Sequence, residues 1–199
     1  MRSSASLIFC KIWRKSRSYF AKCEPDVSPW MTVRAWDLSE IPPPTTSPTC
    51  VADALGLAGS TWPDRIVVLP EAMSSAEEFR GHDLDEAWGV ASSLATVLWG
   101  LYFDGERPTD IAEEYRRRSG YELSVTETSL TKESIRMRRS RERSYEGKMI
   151  CCWAHVKGKS TNPELALRAY YWVDAERELI IVGHFGRHLE TGGTARVSA

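Results

Sequence analysis

The clearest hydrophobic pattern in the chain runs from Asp83 to Tyr102, where apolar residues recur at three- and four-residue spacing. That spacing places them along one side of a helix, and acidic residues at its start favour the positive end of the helix dipole. The apolar positions are Leu84, Ala87, Trp88, Ala91, Leu94, Ala95, Leu98 and Leu101. We therefore predict one long helix that ends near Asp104 and Gly105.

Two shorter helices are predicted on either side of this one. The hydroxyls of Ser74 and Ser75 precede acidic residues, a pattern typical of a helix that begins with a side-chain cap. After Gly105, the sequence Pro108-Thr109-Asp110 starts another helix that ends at Gly120. We expect this last helix to pack against the long one.

Five segments have the alternating or β-branched composition of strands. They are residues 65–69, 121–126, 148–156, 165–173 and 179–185. The break at 174–177 is short enough for a hairpin, so the last two strands are expected to pair antiparallel. The last three strands together predict a β-meander.

These elements predict an α+β fold, a helical section followed by a small C-terminal antiparallel β-sheet, because the helices precede the run of strands. Residues 1–50 are predicted to be a flexible arm and a proline-rich linker, since prolines at 41–49 remove hydrogen-bond donors. Residues 51–199 then form a single domain, with its helical part at about 74–120 and its β part at about 121–190.

Composition excludes several classes of protein. No window approaches the roughly 18 consecutive apolar residues of a membrane-spanning helix. Residues 1–23 carry six basic and no acidic residues, but the charges follow the short apolar run, unlike those of a secretory signal. The five cysteines include no C-x-x-C pair, which favours reduced thiols. We expect a cytoplasmic protein that does not associate with membranes.

The net charge of −1 conceals two segments of opposite sign. Residues 24–115 hold 17 acidic and 4 basic residues, whereas residues 116–159 hold 12 basic and 5 acidic residues. The stretch at 131–143 is predicted to be an exposed basic loop or arm. This asymmetry is compatible with intramolecular pairing, with a polyanion-binding face, or with an ordinary solvated surface.

A nucleic-acid-binding face would use basic side chains to contact phosphates. The candidate residues are Lys157, Lys159, Arg136, Arg138, Arg139 and Arg187. Aromatic residues at 121, 145 and 153 are interleaved with this basic segment and could stack on bases.

The candidate catalytic residues are His155, Arg168, His184 and His188. They suit metal-independent RNA cleavage, in which a histidine or lysine activates the 2′-hydroxyl, a second histidine protonates the leaving oxygen, and arginine stabilises the transition state. RelE-like ribonuclease toxins use comparable basic residues on a small sheet, although no motif specific to that family is present.

The register of the last hairpin decides whether these residues form one site. A regular four-residue loop would place Arg168 and His184 on opposite faces, and a one-residue bulge would reunite them. The alternative is structural: His155 is a packed strand residue, while Arg187 and His188 form a solvated turn. Glycines at 183 and 186 would serve either a bound ligand or a tight bend.

No metal or cofactor is predicted. His155, His184 and His188 could hold a metal, but they lack the regular helical spacing of a metal-binding motif. The sequence Gly158-Lys159-Ser160 does not complete a phosphate-binding loop, because Trp153 stands where a glycine is required.

The C-terminal segment resembles the end of uncharacterised proteins from actinobacterial genomes. The resemblance rests on His155-x-Lys157, Arg168 and Gly183-His184-x-Gly186-x-His188-Leu189 and covers about the last seventy residues. It brings no activity with it and implies a bacterial, accessory-gene setting.

The leading functional hypothesis is that the protein binds RNA or DNA. An extension of this hypothesis is that it also cleaves RNA without a metal ion. A second hypothesis is a non-enzymatic adaptor that binds a protein partner through the tryptophan-rich helix or a strand edge. A third is a small-ligand sensor with the glycine-histidine turn at the rim of its pocket.

Overall fold

The structure, a computed structural model, describes residues 44, 46–105 and 107–192. The predicted N-terminal arm and most of the predicted linker lie outside these residues. The described part of the chain has the predicted α+β fold, with helices that mostly precede the C-terminal strands. Within it, no helix is both long enough and apolar enough to span a membrane.

The helices lie mainly in the first half of the described chain. They are α1 (Val51–Thr61), α2 (Pro70–Glu78), α3 (Leu84–Ser93), a π-helical turn (Leu94–Leu98), α4 (Trp99–Phe103), α5 (Ile111–Ser119), α6 (Ser129–Glu133) and α7 (Ile135–Arg139). The predicted long helix is confirmed as α3, the π turn and α4, which follow one another without a break. It ends at Phe103 with Asp104 as its C-cap, and Gly105 follows with a φ of 109°.

The helix α5 is confirmed with the predicted caps. The side chain of Asp110 accepts a hydrogen bond from the amide of Glu113 at 3.0 Å, and Gly120 ends the helix with a φ of 75°. The predicted start of α2 at Ser74 is wrong, because the helix begins at Pro70, whose fixed φ suits the first helical position. The helix α1 was not predicted; its cap is Cys50, a residue rarely found there.

Five strands form a mixed sheet in the order β1-β7-β6-β5-β2. The strands are β1 (Ile66–Val68), β2 (Glu122–Ser124), β5 (Ala154–Lys157), β6 (Leu167–Asp174) and β7 (Leu179–Arg187). The predicted meander is confirmed as β5, β6 and β7. The sheet also gains β2, antiparallel to β5, and β1, which pairs parallel to β7.

The strand predicted at 148–156 is two strands in different sheets. Residues Lys148–Cys151 form β4, which pairs with β3 (Glu142–Tyr145), and the chain turns at Cys152 before β5 begins. The backbone amide of Cys152 donates instead to the carbonyl of Arg141, at 3.0 Å. The apolar run contains no glycine or proline, so its composition does not mark this turn.

The main core lies on one face of the sheet, where the helices pack. It includes Val156, Ala169, Tyr171, Val182 and Phe185 from the strands, all at most 1 % exposed. The opposite face carries a smaller apolar cluster and several polar side chains. This second face holds the candidate site.

The prediction of an exposed basic loop or arm at 131–143 is wrong as to the loop or arm, although Lys132, Arg136, Arg138 and Arg139 are exposed as expected. This segment forms α6, α7 and the start of β3, and three of its side chains, Thr131, Met137 and Arg141, are buried. The guanidinium of Arg141 accounts for the difference, because it draws the segment onto the sheet through buried polar contacts.

Candidate anion-binding cleft and the histidines beneath it

A one-residue bulge in β7 decides which side chains share the polar face. Tyr171 pairs with Val182 and Tyr170 pairs with His184, so Gly183 has no partner between them. Arg168 pairs with Gly186, which lies two positions after His184 in β7. Arg168 and His184 therefore lie on the same face of the sheet. The register that the sequence left open therefore brings these two predicted residues together.

Gly183 is required at the bulge because its surroundings leave no room for a side chain. A Cβ there would lie 2.5 Å from the Cys152 sulfur and 3.0 Å from Cγ of Arg143. The Nε–H of Arg143 also donates to the Gly183 carbonyl at 2.6 Å, which fixes the bulged backbone.

Three of the predicted catalytic residues surround Tyr170. The ring centre of Tyr170 lies 4.6 Å from that of His155 and 5.6 Å from that of His184, on the two neighbouring strands. His188 follows β7, and its ring centre lies 6.2 Å from that of His155 and 6.5 Å from that of Tyr170. These four aromatic side chains form what we call the histidine cluster.

The three histidines differ in exposure, and burial lowers the pKa of each. Burial lowers the pKa of His155 to about 3 and that of His184 to about 4, so both are neutral near pH 7. His188 is only half-buried, and its pKa is lowered by burial and then by the charge of Arg168. Of the three, only His188 lines the open cleft described below.

Arg141 lies over the histidine cluster and is completely buried. Its Nη2 is 2.8 Å from a carboxylate oxygen of Glu127, whose side chain is 6 % exposed. Its Nη1 donates to the carbonyl oxygens of Met137 at 3.0 Å and Glu190 at 3.1 Å, and its guanidinium carbon is 5.1 Å from the Tyr170 ring centre. Sequence reasoning missed this pair, since nothing in the basic stretch distinguishes Arg141 from its exposed neighbours.

An open cleft of about 1050 Å³ lies on the polar face, beside the histidine cluster. The loop after β5 borders it and is tied to α3, because the amide of Lys159 donates to the carboxylate of Glu86. Its basic and histidine side chains are Lys157, Lys159, Arg168, Arg187 and His188, and its acidic ones are Glu122, Glu164 and Glu190.

Two of the three acidic side chains are already neutralised by basic partners. Glu122 lies 3.2 Å from the ammonium of Lys157, and Glu190 pairs with Arg136. The ammonium of Lys159 lies 5.3 Å above the ring of Tyr121, an aromatic residue in the cleft wall. The basic side chains without an acidic partner therefore outnumber the acidic ones, and the cleft carries a net positive charge.

The guanidinium of Arg168 makes only part of the hydrogen bonds that it could make. One Nη donates to the carbonyl of its neighbour Leu167 at 2.8 Å, while its Nε is buried without a hydrogen-bond partner among the described residues. Among those residues it also has no carboxylate within ion-pair distance, and burial lowers its pKa. A half-buried guanidinium in this state is stabilised by any anion that reaches it.

The predicted nucleic-acid-binding residues divide into two groups. Lys157, Lys159 and Arg187 line the cleft, whereas Arg136, Arg138 and Arg139 lie on α7, outside its lining. Arg138 pairs with Glu142 at 3.4 Å. Within the described chain, no group of three histidine, cysteine or acidic side chains is placed to hold a metal ion.

The hydroxyl of Tyr170 is buried and has no hydrogen-bond partner among the described residues. We expect Tyr170→Phe to lower the free energy of unfolding by less than about 1 kcal/mol, because the hydroxyl makes no hydrogen bond of full geometry and interacts only weakly with the nearby Arg141 guanidinium. The matched control is Tyr115→Phe, which removes a buried hydroxyl bonded to Ser93 at 2.5 Å and should cost about 1–3 kcal/mol. Denaturant unfolding of both variants measures the difference, and equal losses would contradict the prediction.

Together these features define an α+β protein with a positively charged cleft and a buried polar cluster beside it. No protein-family model, curated protein or solved structure matches the chain. The resemblance to actinobacterial proteins therefore stays a prediction.

Proposed function

We propose that the protein binds single-stranded RNA in the cleft, with phosphates contacted by Arg168, Arg187 and Lys159. The observation that carries this proposal is the half-buried Arg168, which lacks a counter-ion among the described residues. Guanidinium groups match the geometry of phosphate oxygens, and a phosphate in the cleft would supply the counter-charge that Arg168 lacks.

The size and charge of the cleft support a polymeric ligand over a single anion. Its volume of about 1050 Å³ lies just above the roughly 300–1,000 Å³ typical of small-molecule sites. Arg168, Arg187 and Lys159 have no carboxylate partner within the described chain, so several phosphates of one strand can be contacted together.

RNA cleavage is the extension of this proposal. Because His188 is neutral near pH 7 and borders the cleft, it could accept the 2′-hydroxyl proton as that oxygen attacks phosphorus. Arg168 would stabilise the charge on the phosphorus centre, and a protonated lysine of the cleft would donate a proton to the leaving 5′-oxygen. His155 and His184 are then supporting residues, since both are buried away from the cleft.

We further propose that the protein acts in the cytoplasm. Cys50, Cys151 and Cys152 are free thiols, which supports a reducing, cytoplasmic environment. The adaptor hypothesis has less support, because Trp88 of the tryptophan-rich helix is 6 % exposed and packs in the core.

The test is retention of a labelled single-stranded RNA at low salt by the wild-type protein and two variants. We expect Arg168→Ala to weaken binding about tenfold to a hundredfold, because each charged hydrogen bond contributes about 1.5–3 kcal/mol. Arg139→Ala is the control, since Arg139 is equally basic, exposed and outside the cleft. Equal affinities of the two variants, or no retention by the wild type, would contradict the proposal.

The same incubation tests cleavage. His188→Ala should abolish the appearance of shorter products while RNA is still retained. Single-stranded DNA of the same sequence is the comparison, because it lacks the 2′-hydroxyl and cannot be cleaved by this route. Absence of cleavage by the wild type would leave a binding protein.

A further inference from the structure

We propose that His184 is a positioning residue, which holds the backbone of Arg187 so that Arg187 and His188 face the cleft. The inference rests on the proposed RNA binding and changes the role that the sequence suggested for His184, from catalysis to support. It is carried by a hydrogen bond, by the bulge at Gly183 and by the burial of the histidine.

The hydrogen bond joins His184 to the end of its own strand. Its Nε2 lies 2.8 Å from the carbonyl oxygen of Arg187, and since a carbonyl only accepts, Nε2–H is the donor. The bond spans three residues, and β7 ends at Arg187. The following residue, His188, leaves the strand and places its ring against His155 and Tyr170.

The bulge makes this bond available. Without the extra residue at Gly183, His184 would face the helices, because a one-residue shift reverses the side-chain alternation of a strand. Arg143 fixes the bulge through the Gly183 carbonyl, at 2.6 Å. The partly buried Arg143 and the glycine of the bulge therefore direct the His184 side chain toward the carbonyl of Arg187.

Burial separates His184 from any ligand in the cleft. It is 8 % exposed and does not line the cleft, whereas Arg187 is exposed and His188 half-buried, and both line it. A second hydrogen bond holds the backbone three residues after Arg187, where Arg141 donates to the Glu190 carbonyl at 3.1 Å. The segment 187–190 is thus held at both ends by buried side chains.

The experiment compares His184→Gln with His184→Asn. Glutamine carries an amide NH₂ at nearly the reach of the histidine Nε2, while asparagine carries the same group one methylene shorter. We expect His184→Gln to keep wild-type RNA affinity and His184→Asn to lose about as much affinity as Arg187→Ala. The slope of log affinity against log salt should fall by about 0.7 in His184→Asn, the value for one lost phosphate contact on a single strand.

A double-mutant cycle distinguishes positioning from a general structural effect. If His184 acts through Arg187, adding His184→Asn to Arg187→Ala costs no further affinity. Thermal unfolding of each variant establishes that it is folded; should His184→Asn not fold, His184→Met with and without Arg187→Ala completes the same cycle.

The outcomes separate the two proposals. If the wild type does not bind RNA, the proposed function fails and this inference fails with it. If the wild type binds but His184→Asn keeps its affinity and salt slope, or if the losses from His184→Asn and Arg187→Ala simply add, only the positioning role of His184 is overturned. Rescue by glutamine together with a non-additive cycle supports it.

Discussion

Replacing Arg141 with methionine is expected to lower the free energy of unfolding by about 3–5 kcal/mol, because it leaves a buried carboxylate without its partner. The carboxylate is that of Glu127, 2.8 Å from the Arg141 guanidinium. Two backbone carbonyls, those of Met137 and Glu190, lose their donor in the same step. Denaturant unfolding followed by circular dichroism measures the loss.

The control for this prediction removes both charges. In the double variant Arg141→Met, Glu127→Leu, no isolated charge remains buried, so we expect a much smaller loss than in Arg141→Met alone. Arg139→Met, a change of the same type at an exposed position of α7, should alter stability by less than about 0.5 kcal/mol. A loss below about 1 kcal/mol in Arg141→Met would show that the pair is not the anchor that the geometry indicates.

Acidification from pH 7 to pH 5 is expected to destabilise the fold by about 2 kcal/mol through His184, and by less through His155, whose Nδ1 lies 3.8 Å from the buried Glu127 carboxylate. Their pKa values in the folded protein are lowered to about 3 and about 4, below the usual 6.5. Between these values and pH 6.5 the unfolded chain binds more protons than the folded one, so stability falls as the pH falls. Above about pH 7.5 both histidines are neutral in the folded and in the unfolded state and contribute no pH dependence.

Variants identify which histidines cause this loss of stability at low pH. The unfolding free energy of His155→Gln and of His184→Gln should each depend less on pH between 7 and 5 than that of the wild type. His82→Gln is the matched control, because His82 is exposed and lies outside the cluster. An unchanged pH dependence in both cluster variants would contradict the prediction.

The geometry also changes which residues of the predicted catalytic set can perform chemistry. His155 and His184 are held neutral beneath the surface, so neither is available as a proton donor to a bound strand near pH 7. Arg168 and His188 remain in contact with the cleft. Of the four predicted residues, Arg168 and His188 border the cleft, whereas His155 and His184 are buried beside it.

Local patterns predicted most of the individual elements. The long helix, the cap at Asp110, the glycine at 120 and the meander all depend on residues within a few positions of one another. The errors occurred where a local signal was absent or misleading. The turn at Cys152 lies in an apolar run without glycine or proline, and α2 begins at a proline instead of at the nearby serines.

The sequence by itself determined the α+β class, the pairing of β6 with β7 and the set of residue types available for a site, because periodicity and short connections act over a few residues. The tertiary structure alone decided the parallel pairing of β1 with β7, the bulge at Gly183 and the burial of Arg141. Each of these depends on contacts between segments far apart in the chain. The bulge, in turn, decides that Arg168 and His184 lie on one face, since a shift of one residue reverses the direction of every side chain beyond it.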